Sequence, residues 1–130
     1  MRFLDYLDDM GIPRIIFTGG LDVPARAAMD CFGFDMSFAN YTFDEKEITP
    51  SPYTNGNGLP DKLSTAEKYM HDVGINLSDC LIVGDAETDI PVMECARLSL
   101  ASPRAKQGVR EAADLWTPSY NELVCNLELI

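Results

Sequence analysis

Leu81, Ile82 and Val83 are followed at once by Gly84, and then by two carboxylates, Asp85 and Asp89, four residues apart. A short, wholly apolar run of this kind is the strand of a parallel sheet, buried on both faces. Gly84 breaks the strand, and Pro91 suits the first turn of a following helix, where its missing N–H costs nothing. The two acids therefore stand at the carboxyl end of a buried strand, where open α/β sheets hold their ligands. On these residues alone two readings stay open. Asp85 and Asp89 cap the helix start, or they face a hard cation such as Mg²⁺, which takes carboxylate oxygens and keeps several waters.

The rest of the chain alternates in the same way. Residues 2–10 set Phe3, Leu4, Leu7 and Met10 on one helical face, and Gly11 ends that helix. Residues 12–17 form an apolar strand that runs into Thr18-Gly19-Gly20. Asp22 is expected to cap the next helix, with Pro24 in its first turn and Ala25, Ala28, Met29 and Phe32 as its buried stripe. A strand, a glycine turn and a helix start also describe an anion cradle, because glycines let free N–H groups approach a ligand and the Thr18 hydroxyl adds a donor. An ordinary βα turn is the other reading.

Residues 35–40 make a second strand. Residues 42–48 suit a small hairpin, and the turn-rich stretch SPYTNGNGLP follows as a surface loop. Lys62 opens a helix bearing Leu63, Ala66, Met70 and Val73. A lysine in the first turn opposes the helix dipole, so it is either a solvated side chain or a residue kept for a function. After residues 79–83 come a helix at 91–96, a strand at 98–101, a short helix at 109–113 and an edge strand at 114–117. The tail places Leu123, Val124, Leu127 and Ile130 at helical spacing. The alternation predicts one three-layer α/β domain over residues 1–130 with a mainly parallel sheet.

Composition narrows the function. A formal net charge of −11 argues against nucleic acid or an anionic membrane as partner. No apolar run reaches the roughly 18 residues that span a bilayer, and the acidic N-terminal residues do not suit a signal peptide. Cys31, Cys80, Cys95 and Cys125 form no C-x-x-C pair, which fits reduced thiols in the cytoplasm. His71 is the only histidine and lies off the apolar stripe of its helix, which leaves no basis for a Ser-His-Asp or Cys-His hydrolase.

Taken in order, IIFTGG, FAN, Lys62 and GDAETDIPVM resemble the haloacid dehalogenase superfamily of phosphotransferases, and within it the phosphoserine phosphatases. A phospho-receiver domain would place its acids before its Thr and Lys, whereas here Thr18 and Lys62 precede Asp85. The resemblance covers roughly residues 3–118. It implies that Thr18, Gly19 and Gly20 bind the transferred phosphoryl group and that Lys62 offsets its charge as a catalytic residue. It further implies that Asp85 and Asp89 hold Mg²⁺ and that a small phosphorylated molecule is the substrate.

Two departures stand out. Thr88 replaces the Asn of the phosphatase pattern. The D-x-D that supplies the aspartyl nucleophile, and the cap inserted after it, do not occur in these 130 residues. The expected fold is therefore Rossmann-like but incomplete at its N-terminal side. The missing strand would lie between residues 12–17 and 79–83, to be supplied by a further segment, a second copy or a partner chain. The alternative is an inactive relative that binds a phosphorylated ligand or a protein.

Overall fold

The computed structural model describes residues 2–50 and 62–128; the SPYTNGNGLP loop, Asp61 and the tail residue Ile130 lie outside them. In chain order the elements are α1 (Phe3–Asp9), β1 (Ile15–Leu21), α2 (Asp22–Phe32), β2 (Met36–Asp44), β3 (Glu47–Pro50), α3 (Lys62–Asp72), β4 (Leu81–Gly84), α4 (Ile90–Glu94), β5 (Leu98–Ala101), α5 (Gln107–Ala112), β6 (Leu115–Trp116) and α6 (Tyr120–Glu128). They fall into two compact units, one of Pro13–Val73 and one of Met1–Ile12 with Gly74–Ile130.

In the unit Pro13–Val73, β1 and β2 pair in parallel with Ile15 opposite Met36, Phe17 opposite Phe38 and Thr18 opposite Ala39. The register slips between Thr18 and Leu21, at the two glycines. α2 packs on both strands. It stops at Gly33, which adopts φ 70° and donates its N–H to the Met29 carbonyl, a left-handed cap that glycine makes at no steric cost. From α3, the Tyr69 ring stacks on Phe38 at 4.3 Å and meets Phe17 edge-on at 5.9 Å. Its hydroxyl donates to the Ala39 carbonyl at 2.7 Å.

Two expectations are corrected here. β2 does not stop at Asn40 but continues to Asp44, because Tyr41 to Asp44 pair antiparallel with β3 around a tight turn at Glu45 and Lys46. Asp22 is not the cap of α2; Leu21 holds that position and Asp22 is the first helical residue. Its carboxylate instead accepts the Phe43 N–H at 2.9 Å and the Arg26 guanidinium at 2.7 Å, tying the extended end of β2 to the start of α2.

In the second unit, β4, β5 and β6 form a parallel sheet in that order. Met93, Ala101, Ala105 and Val109 make its core, with Ile82, Ile90 and Ala113 packed around them. Asp114 fixes the entry to β6: its carboxylate accepts the Ser99 N–H at 2.8 Å and the Ser99 hydroxyl at 3.0 Å. Pro91 stands in the first turn of α4, as its geometry predicts. α1 packs on α6, where Phe3 stacks on Tyr120 at 5.6 Å.

Three of the four strand pairings are parallel, so the α/β class with a mainly parallel sheet holds. Among the described residues, β1 is the terminal strand of one three-stranded sheet and β4 the terminal strand of the other. Both are nonetheless as apolar as inner strands, and Val83 of β4 is 39% exposed. No described helix is long and apolar enough to cross a membrane.

Candidate functional site

Gly84 ends β4 because nothing larger fits. A Cβ there would lie 2.5 Å from the Met93 Sδ and 2.8 Å from the Asp89 Cβ. That close approach brings Asp89 under the turn. Its Oδ2 accepts the N–H groups of Asp85 at 2.9 Å and Ala86 at 3.1 Å, and the residue is only 8% exposed. Asp89 therefore folds the loop, which is close to the capping reading of the sequence, whereas Asp85 is exposed at the strand's carboxyl end. Replacing Gly84 with Ala is expected to displace Met93 or Asp89 and to destabilise the protein by about 1–3 kcal/mol, the usual effect of overpacking, measured by denaturant unfolding.

A sequence reading did not single out Tyr120. Burial pushes its phenol up from the ordinary tyrosine value, and the negative charge of Asp85 adds to the shift. Nothing in the local pattern of α6 connects Tyr120 with residue 85; only the tertiary fold does.

In the other unit, Thr18 accepts the Gly20 N–H on its Oγ at 3.1 Å. Thr18, Gly19 and Gly20 are thus the last part of β1 rather than a turn after it, and the irregular stretch is braced from within. Gly19 and Gly20 are exposed. Lys62 is the first residue of α3, and its Nζ stands 5.8 Å from the ring centroid of Phe17, the residue before Thr18. Lys62 thus stands beside Phe17, which precedes Thr18, Gly19 and Gly20 on β1, and Asp85 and Asp89 meet at the carboxyl end of β4.

Asn40, quoted only as part of FAN, proves to be fully buried, with neither amide oxygen nor amide nitrogen hydrogen-bonded among the described residues. Its signal in the sequence is an amide closing an apolar strand, too common a feature to single out.

For metal binding, the described residues hold no group of three or more His, Cys, Asp or Glu side chains able to enclose an ion. One exposed carboxylate on a loop braced by a second fits Mg²⁺, which is commonly held by one or two carboxylates and otherwise by water and phosphate oxygens.

Residues 57–124 match the family model of haloacid dehalogenase-like hydrolases. The chain is 31% identical over 111 residues to a phosphoserine phosphatase of Methanocaldococcus jannaschii, covering 84% of this chain and 52% of that protein. It is 25% identical over 120 residues to a phosphoserine phosphatase of Campylobacter jejuni subsp. doylei, covering 88% of this chain and 55% of that protein. Among solved structures, a phosphoserine phosphatase in apo form superposes with a TM-score of 0.73 at 26% identity, over 98% of this chain and 64% of that one. The chain spans about half the length of the curated relatives it matches.

Proposed function

We propose, from the premise that this chain belongs to the haloacid dehalogenase-like hydrolases and stands close to the phosphoserine phosphatases, that it is the phosphoryl- and Mg²⁺-binding part of a phosphomonoester hydrolase. The substrate is a small phosphorylated molecule. The observation that best supports this reading is the division of labour between the two acids of GDAETD. Asp89 is used up in shaping the loop, and Asp85 is left exposed where a ligand is expected.

Each residue then has a physical task. The Thr18 hydroxyl donates to one phosphoryl oxygen and the Gly19 N–H to another, while Gly20 braces Thr18. The Lys62 ammonium offsets phosphoryl charge, which accounts for a lysine standing against the dipole of its helix. Asp85 would hold Mg²⁺, and Asp89 would support it through the loop; the ion when bound neutralises charge on the phosphoryl oxygens. The aspartyl nucleophile comes from a D-x-D strand, which these 130 residues do not contain, carried by a further segment, a second copy or a partner chain that completes the sheet.

Metal binding tests the Asp85 role without any turnover. Mn²⁺, followed by water proton relaxation, is expected to bind weakly to the 130-residue chain. Asp85→Asn should reduce that binding at least ten-fold. Equal binding by Asp85→Asn would remove Asp85 from the site.

A further inference from the structure

We propose that Asn40 is a further anion-binding residue, its side-chain amide donating to the anion held at Thr18 and Gly19, across the bare Cα of Gly19. The inference rests on the reading of that turn as a phosphoryl cradle and adds a residue to it.

Burying an amide with no partner is costly, and structures rarely leave both of its polar atoms unpaired. Asn40 is 0% exposed, and among the described residues its oxygen and nitrogen both lack a partner. Its position says what the missing partner is. Among the described residues, its chain neighbours aside, a Cβ built on Gly19 would approach the Asn40 amide nitrogen, at 3.7 Å.

The strand period places the rest. On β2, Asn40 follows Phe38 by two residues and shares its face of the sheet, and the side of Gly19 where a Cβ would stand faces the Asn40 amide. Phe17 and Phe38 are covered by Tyr69, and Lys62 stands over Phe17. Along that face the side chains change from aromatic to an amide at the level of the glycine turn. An anion in the cradle would meet the Thr18 hydroxyl, the Gly19 N–H, the Lys62 ammonium and the Asn40 amide. An amide shielded from water donates more strongly to an anion than an exposed one, because no solvent competes for it. Gly19 and Gly20 are exposed and carry no side chain to move aside.

Titrating the 130-residue chain with inorganic phosphate by calorimetry, alongside thermal unfolding without phosphate, tests this. Asn40→Leu fills the same space without orphaned polar atoms, so its melting temperature should equal or exceed that of the parent. Its phosphate affinity should fall about ten-fold or more, the effect of one hydrogen bond to a charged group. Asn40→Ala should lose affinity likewise, and serves as the readout if Asn40→Leu does not fold. Undiminished affinity in both variants would overturn the inference while leaving the cradle in place, provided that Thr18→Val weakens binding. A markedly lower melting temperature for Asn40→Leu, or failure of both variants to fold, would also overturn it, by making the amide structural. Absence of phosphate binding by the parent chain would overturn the cradle and Asn40 with it.

Discussion

Asp89→Ala is expected to lower stability by about 3 kcal/mol, and the melting temperature by roughly 10 °C. The carboxylate is nearly buried and its Oδ2 serves two backbone donors, Asp85 N–H and Ala86 N–H. Hydrogen bonds to an ionised group contribute about 1.5–3 kcal/mol each, and removing the acceptor leaves both donors unpaired. Asp89→Asn keeps one carbonyl acceptor and should fall between Ala and the parent. Asp85→Asn provides the contrast. Its carboxylate is exposed, so stability should change by no more than about 0.5 kcal/mol even as metal binding is lost. Thermal unfolding of the three variants, followed by circular dichroism, gives the ranking. Equal stability loss at both positions would mean that the two acids do the same thing, against the division described above.

That division was only half legible in the sequence. The spacing of Asp85 and Asp89 after Leu81, Ile82 and Val83 located a site, because a strand, a glycine and a helix-starting proline are local signals. It did not say which acid faces inward. The answer depends on Gly84, whose missing side chain lets Met93 and Asp89 close beneath the turn. The same contrast holds elsewhere. Gly11 marks the end of α1 in the sequence, since stopping a helix is a local property of one residue, here with φ 67°. Asp22 was misread as a cap because its real partner, the Phe43 N–H, is 21 residues away. The sequence marks a hairpin at residues 42–48, but not that its first arm is the continuation of β2 past Asn40, which depends on the pairing with β3.

Residues that bear on the site but were not singled out are of this second kind. Nothing near Asn40 in the chain indicates that its amide has no partner, and nothing near Tyr120 connects it with Asp85. By contrast, the Lys62 position could be read early, since a lysine opening a helix contradicts a local preference and so calls for a reason.

The separation of β1 and β4 into different sheets belongs with these observations. Both strands carry the apolar character of inner strands, yet each ends its sheet. A terminal strand exposes a row of backbone donors and acceptors ready to pair with another strand. Under the proposed function, an added strand would carry the nucleophile. In that proposal a lysine, a hydroxyl and an acid holding a metal would stabilise charge, but would form no covalent intermediate without a placed carboxylate.

Turnover is therefore the measurement closest to the central claim. Hydrolysis of p-nitrophenyl phosphate with Mg²⁺ should be followed for the 130-residue chain alone and for the same chain joined to a strand carrying D-x-D. The chain alone should give no turnover above background. The joined protein should be at least about a thousand-fold faster, as expected when a nucleophile is restored to an otherwise assembled site. That gain should disappear with Lys62→Ala or Asp85→Asn. Robust turnover by the 130-residue chain itself, abolished by Asp85→Asn, would contradict the account, because an acid already in this chain would then be acting as the nucleophile.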